Sequence, residues 1–276
     1  MNPYADLHIH TTISDGLYTP SEIVGMAHTL GLSVIAITDH DAVEGVAEAR
    51  QAAEGTPLQV IAGVEISASL DDTECHVLGY FVEDLDDTLQ LQLRRFRSAR
   101  LERVHTMLAR LSALGKELSW ERVRSLAGEG SIGRPHIARA MVEAGYVADV
   151  RQAFERYLGS GKAAYVPRLK VTPVEALQMI RAAGGLPVLA HPWELQALVP
   201  GLASEGLVGL EAYYGSYNEI ATGFLCDLAR EHGLICTGGS DFHGTPVMPN
   251  NTLGSGLLPR ECVQALFARH AQRPDA

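Results

Sequence analysis

The segment Asp6-Leu7-His8-Ile9-His10, followed by Asp15-Gly16, is the densest run of metal-binding residue types in this chain. In a strand, side chains alternate between faces, so His8 and His10 project one way while Leu7 and Ile9 project the other. Two imidazoles then converge on one point. Two further polar clusters close apolar, strand-like runs. Thr38-Asp39-His40-Asp41 ends Ser33-Val34-Ile35-Ala36-Ile37, and Gly239-Ser240-Asp241-Phe242-His243 ends Leu234-Ile235-Cys236-Thr237. In parallel α/β barrels, metal and catalytic residues collect at the carboxyl ends of strands, so this placement reads as one site. A lone histidine is more often a core or surface residue. Here the sorting carries the weight: of 11 histidines, His8, His10, His40, His76, His191 and His243 abut apolar runs, whereas His28, His105, His232 and His270 fall in helix-like stretches.

Seven apolar or alternating runs supply the strands that must hold these groups, near residues 5–10, 34–38, 58–66, 76–82, 186–190, 207–213 and 234–239. Helical patterns separate most of them. Thr19-Pro20-Ser21-Glu22 and Thr172-Pro173-Val174-Glu175 each give a capping Thr, a Pro at the first helical position and a Glu at the third. Such βα repetition predicts a parallel sheet or barrel. Residues 84–165 lack a strand pattern and read as a helical insertion domain, leaving 1–83 and 166–276 for the barrel. What remains is about 195 residues, short of the about 250 typical of eight units, so seven fit better.

One junction breaks the parallel pattern. His76 precedes its apolar run, Val77-Leu78-Gly79-Tyr80-Phe81, and would sit at the wrong end of a parallel strand. The turn-prone Asp71-Asp72 predicts an antiparallel hairpin instead, with Ser67 opposite His76 and Glu65 its diagonal neighbour on the same face. Glu65 and His76 are then placed to share a metal.

With 276 residues, 46% of them hydrophobic, the chain can bury a large core. It has neither a long uninterrupted apolar span nor a basic start leading into one, so a cytoplasmic location is expected, with no membrane and no protein partner implied. Cys75, Cys226, Cys236 and Cys262 form no CxxC pair, which points to reduced thiols and to nitrogen and oxygen ligands for any metal. The net charge of −11 opposes a broad basic groove for long nucleic acid and leaves a small anionic substrate open.

The five motifs Asp6-Leu7-His8-Ile9-His10-Thr11 with Asp15-Gly16, Ile37-Thr38-Asp39-His40-Asp41, Gly63-Val64-Glu65, Ala190-His191-Pro192 and Gly239-Ser240-Asp241-Phe242-His243 resemble, in order, those of the PHP (polymerase and histidinol phosphatase) family. The resemblance implies a distorted (βα)7 TIM-like α/β barrel with two or three divalent ions, and phosphoester hydrolysis. It implies one ion on His8, His10, Glu65 and Asp241, a second on Asp15, His40 and His191, and a third on Glu65, His76 and His243. Imidazole with carboxylate suits manganese, iron or zinc. Asp15 stands where other branches often carry His, which favours a harder ion and makes manganese the first expectation. Clustered ions that share carboxylates lower the pKa of water and clamp phosphoryl oxygens.

Gly133-Arg134-Pro135-His136-Ile137-Ala138-Arg139 and Gly161-Lys162-Ala163-Ala164-Tyr165-Val166-Pro167 look like the branch containing nucleoside 3′,5′-bisphosphate phosphatases and the 5′→3′ exoribonuclease of the RNase AM type. The implied substrate is a small phosphorylated nucleotide or short RNA. Arg134-Pro135 reads as a helix start, where free N–H groups and a guanidinium suit a phosphate, or as a plain capped helix with a solvated Arg. His136 is a second contact, a proton donor or a structural residue; Asp39 and Asp41 are further candidates for the leaving-group proton. Lys162, Arg168 and Lys170 are basic groups near the barrel's re-entry, either substrate contacts or surface charge. Tyr213-Tyr214 and Trp193 offer rings for base stacking or for packing. The rival readings are histidinol-phosphate phosphatase, a metal-stabilised scaffold without activity, and an amidohydrolase or deaminase acting at carbon.

Overall fold

The structure, a computed structural model, describes residues 4–70, 73–127, 132–167, 169, 171–245, 247 and 251–273. The chain divides into two compact units, Met1–Leu91 with Val171–Ala276, and Gln92–Lys170.

The first unit is built on a seven-stranded sheet in sequence order: β1 (Ala5–Asp6), β2 (Val34–Ile37), β3 (Gln59–Leu70), β4 (Thr73–Tyr80), β5 (Leu186–Leu189), β6 (Gly209–Tyr214) and β7 (Ile235–Gly239). Neighbours run parallel except that β4 is antiparallel to both β3 and β5. The hairpin is the one the position of His76 demands: Ser67 pairs with His76 and Leu70 with Thr73. Asp71 and Asp72, expected at its tip, lie outside the described residues.

The two ends of the sheet meet. The Leu7 N–H donates to the Gly238 carbonyl at 3.2 Å and the His10 N–H to the Phe242 carbonyl at 3.0 Å, drawing the sheet into a nearly closed barrel. Gly239 permits the approach, because a Cβ there would collide with the backbone of His8.

Helices α1 (Pro20–Leu30) and α2 (Gly45–Ala53) follow the first two strands. In α1, Thr19 and Glu22 form a reciprocal capping box, Pro20 opens the helix, and Gly31 ends it in the left-handed region at φ 75°. Ile23, Val24 and Ala27 are its buried face. The chain then enters α3 (Asp87–Ala113), α4 (Trp120–Ala127), α5 (Arg134–Glu143) and α6 (Val150–Ala153), and returns through α7 (Pro173–Ala182), α8 (Val199–Ser204), α9 (Glu219–Glu231) and α10 (Arg260–Ala271). Thr172 and Glu175 cap α7 as Thr19 and Glu22 cap α1. Alternate residues Val34 and Ala36, Leu78 and Tyr80, and Leu186 and Val188 join Val263 and Leu266 of α10 in one barrel core.

The second unit has its own core. Val104, Met107, Leu108 and Leu111 of α3, spaced as one helical stripe, pack with Val123 of α4 and Ile137, Ala138 and Met141 of α5.

Candidate metal centre

Strand ends deliver the candidate ligands. His8 and His10 follow β1, His40 follows β2, His191 stands two residues past β5, and Asp241 and His243 follow β7. Glu65 lies within β3, and the reversed strand β4 brings His76 beside it, with Nδ1 3.0 Å from Glu65 Oε1. Asp15 comes from the loop after His10 and remains partly exposed.

Eight side chains thereby gather with Glu65. His8, His10 and Glu65 offer ligand atoms within 4.8 Å of one another; so do His40, Glu65 and His76, and so do His10, Asp15, His40 and His243. Asp241 Oδ1 stands 3.4 Å from His8 Nε2 and 3.2 Å from His10 Nε2, completing the first group. Two members of the expected sets exchange places. His243, expected with Glu65 and His76, has Nε2 3.2 Å from Asp15 Oδ1. His191, expected with Asp15 and His40, has Nε2 3.5 Å from Glu65 Oε1, its ring 5.1 Å from that of His76. The cause is the closing of the barrel. It folds the chain after β7 back against the His10–Asp15 loop, where the Leu17 N–H donates to the His243 carbonyl at 3.0 Å.

The backbone is strained where it turns these groups inward. Asp41, His191 and Asp241 adopt φ of 50°, 31° and 54°, the left-handed region that non-glycine residues enter only when their surroundings hold them there. Asp39, weighed as a proton donor, is instead a loop organiser: its carboxylate accepts from the Thr11 N–H at 2.7 Å, the Thr11 hydroxyl at 2.7 Å and the Ser14 hydroxyl at 2.6 Å. Asp41 Oδ1 accepts from the Ser67 N–H at 3.2 Å.

Behind the ligands stand groups that the sequence reading missed. Fully buried Glu211 of β6 places Oε1 2.9 Å from His8 Nδ1 and accepts at Oε2 from the His191 N–H at 2.8 Å. A carboxylate on the far ring nitrogen fixes the orientation and tautomer of a ligating histidine. Tyr214 donates its hydroxyl to Asp241 Oδ2 at 2.8 Å. The available signal was a lone Glu inside an apolar strand, Gly209-Leu210-Glu211-Ala212-Tyr213.

Electrostatically the centre holds charges that answer one another. Burial pulls the His8 and His10 rings toward neutrality, yet Glu211, Asp241 and Glu65 push His8 well above the usual histidine range, and Asp241 with Glu65 pushes His10 up to about 10. Burial likewise opposes the charge on Glu65 and Asp241, but His40, His76 and His8 hold Glu65 well below the carboxylate range, as His8 and His10 do Asp241. His76, against its burial, is pushed up to about 9 by Glu65. Burial leaves His40 below its ordinary value despite Glu65 and Asp15.

The residues fit divalent cations. Asp15 Oδ1, His40 Nδ1 and both oxygens of Glu65 are buried without a hydrogen-bond partner, and such atoms typically cost about 1–3 kcal/mol each. A cation satisfies these lone pairs together. The donors are all imidazole and carboxylate, a set that suits manganese, iron or zinc.

Of the expected substrate contacts, Arg134, His136 and Lys162 belong to the helical unit. Arg134 opens α5 with its guanidinium 5.5 Å from the Phe154 ring centre and 6.0 Å from that of Tyr165. His136 accepts at Nδ1 from the Gly133 N–H at 3.0 Å, so it caps α5. Lys162 is exposed, and Arg168 and Lys170 lie outside the described residues.

The PHP domain family model matches residues 6–158. The chain is 34% identical over 246 residues to the 3′,5′-nucleoside bisphosphate phosphatase of Chromobacterium violaceum, covering 86% of each. It is 34% identical over 248 residues to the 5′-3′ exoribonuclease Rnm of Escherichia coli, covering 86% of this chain and 84% of that one. A crystal structure from Bifidobacterium adolescentis, described as that of a putative metal-dependent phosphoesterase, superposes with a TM-score of 0.82 at 31% identity, over 98% of this chain and 97% of that one. Matched in sequence over most of its length and carrying clustered histidines and carboxylates on a seven-stranded barrel, the chain belongs to the PHP family and is a metal-dependent phosphoesterase.

Proposed function

We propose that the chain hydrolyses the 3′-phosphate ester of nucleoside 3′,5′-bisphosphates, releasing a 5′-mononucleotide and phosphate. The observation that carries the phosphoester chemistry is Glu65. Its two buried oxygens, without hydrogen-bond partners, face His8, His76 and His191 on one side and His10 and His40 on the other, as a ligand shared between ions would. The bisphosphate assignment is supported by the likeness to the Chromobacterium enzyme across most of both chains.

Two or three divalent ions, manganese by first preference, would supply Lewis-acid charge for phosphoryl oxygens and for water. His8, His10, Glu65 and Asp241 would hold one; Asp15, His40 and His243 a second; Glu65, His76 and His191 a third. Glu211 keeps His8 and the His191 backbone in place, and Tyr214 does the same for Asp241. Arg134, at the N-terminus of α5, would take the 5′-phosphate that distinguishes a bisphosphate from a monophosphate. Lys162, Arg168 and Lys170 are candidate further contacts.

A second reading is favoured by the equal identity to the Escherichia exoribonuclease: the same cleavage on the 5′-terminal linkage of short 5′-phosphorylated RNA. The deciding experiment gives metal-loaded protein a panel of nucleoside 3′,5′-bisphosphates, 5′-phosphorylated dinucleotides and oligonucleotides, and histidinol phosphate. The bisphosphate reading predicts the highest kcat/KM on the first group and is overturned if any other substrate exceeds it.

A further inference from the structure

A line of aromatic rings leads away from the metal centre. The His191 ring lies 5.8 Å from that of Tyr214, Tyr214 4.9 Å from Tyr217, Tyr217 6.4 Å from Trp193, and Trp193 5.9 Å from Phe224 on α9. The inner members are engaged: Tyr214 donates to Asp241, and the Tyr217 hydroxyl accepts from the Trp193 N–H at 3.0 Å. The outer members open to solvent. Trp193 is 38% exposed, Phe224 47%, and Ile220, one turn before Phe224 on α9, 80%. Trp193 follows ligand His191 by two residues, so the exposed rings are continuous with the site.

The charge around this patch selects what it suits. Residues 191–224 contain no Lys or Arg, and Glu194 and Glu219 flank the rings. This stretch itself offers a phosphate no Lys or Arg. A flat, uncharged aromatic group does find partners, since stacking on Trp or Phe needs only a π face.

We propose that Trp193, with Phe224 beside it, is a stacking platform for the nucleobase of the substrate whose phosphate reacts at the metal centre. This rests on the nucleotide reading above. It makes the base, and not only the phosphates, a determinant of selectivity.

The test compares adenosine 3′,5′-bisphosphate with its baseless analogue, 1,4-anhydroribitol 3,5-bisphosphate, in wild type, Trp193→Ala, Trp193→Phe and Phe224→Ala. Stacking on an aromatic residue predicts that Trp193→Ala lowers the ratio of kcat/KM between the two substrates on the order of ten- to a hundredfold, that Phe224→Ala lowers it less, and that Trp193→Phe restores most of it. In a Trp120→Phe background, where Trp193 is the remaining tryptophan, the nucleotide should quench its emission and the baseless analogue should not. An unchanged ratio without quenching overturns the platform while leaving the phosphatase reading intact. Equal loss on both substrates also overturns it, making Trp193 a support for His191. Quenching without turnover of either bisphosphate keeps the platform and defeats the phosphatase reading. A dimer by sedimentation that dissociates in Phe224→Ala identifies the patch as an interface between copies and overturns the proposal.

Discussion

Glu211 Oε1 lies 2.9 Å from His8 Nδ1, both side chains fully buried, while the other oxygen of the same carboxylate accepts from the His191 backbone 2.8 Å away. One side chain thereby orients parts of two ligand groups. Glu211→Gln keeps the shape but loses the charge, and it is expected to weaken metal binding about ten- to a hundredfold. Titration of chelated protein with manganese, followed by elemental analysis, measures this. Wild-type affinity in the variant would reduce Glu211 to a packing residue.

The ligand clusters predict at least two ions per chain in protein purified without chelator. His8→Ala and Asp241→Ala should each lose one ion and essentially all turnover. Adding ion to about a hundredfold above its dissociation constant should stabilise the fold by about 2.7 kcal/mol, and roughly 5–10 °C in Tm for a chain of this size. A single ion by elemental analysis defeats the shared-ligand arrangement around Glu65.

Proton competition gives this stabilisation a pH dependence. In metal-free protein the neighbouring carboxylates push His10 up to about 10 and His76 up to about 9, so the stability from their protonated rings is complete below the ordinary value of 6.5 and is lost as pH rises through 9 and 10. Glu65 and Asp241 are depressed, and their contribution is present above the ordinary values of 4.5 and 3.8 and lost as pH falls. The chelated protein should therefore melt highest in mildly acidic solution. The extra Tm given by metal should grow as pH rises from about 6 to 9, because binding displaces those protons. A metal-induced shift that is flat across this range contradicts the displacement.

Arg134→Ala tests the reading of the 5′-phosphate. A charge-assisted contact contributes about 1.5–3 kcal/mol, so the preference for a nucleoside 3′,5′-bisphosphate over the 3′-monophosphate should fall roughly ten- to a hundredfold in kcat/KM. The ratio in wild type and variant is the measurement. Equal loss on both substrates would place Arg134 in support of the fold or of the reacting phosphate.

The hairpin was legible because its constraint is local: His76 stands at the wrong end of its apolar run for a parallel strand, and the Ser67–His76 register follows from the turn between them. The capping boxes at Thr19 and Thr172 were legible for the same reason. The grouping of ligands was not. His191 and His243 both follow strands and carry the same ring, and which ligand side chains they meet is decided by how the two ends of the sheet come together. Glu211 was missed because its partner His8 lies 203 positions away: a lone Glu in an apolar strand marks a buried carboxylate without naming what it meets.

The carboxylate of Asp6 accepts from the Ser240 N–H and hydroxyl and from the Gly254 N–H, joining positions 234 and 248 residues apart. During synthesis His8, His10, Asp15 and His40 leave the ribosome long before Asp241 and His243, and the seam that assembles them stays open until the last strand arrives. A nascent chain halted before Ser240 should therefore hold ions only weakly, however far its earlier helices have formed. Metal capture becomes a marker that the last strand has emerged, and contacts so distant in sequence are expected to make closure a late, slow step of folding.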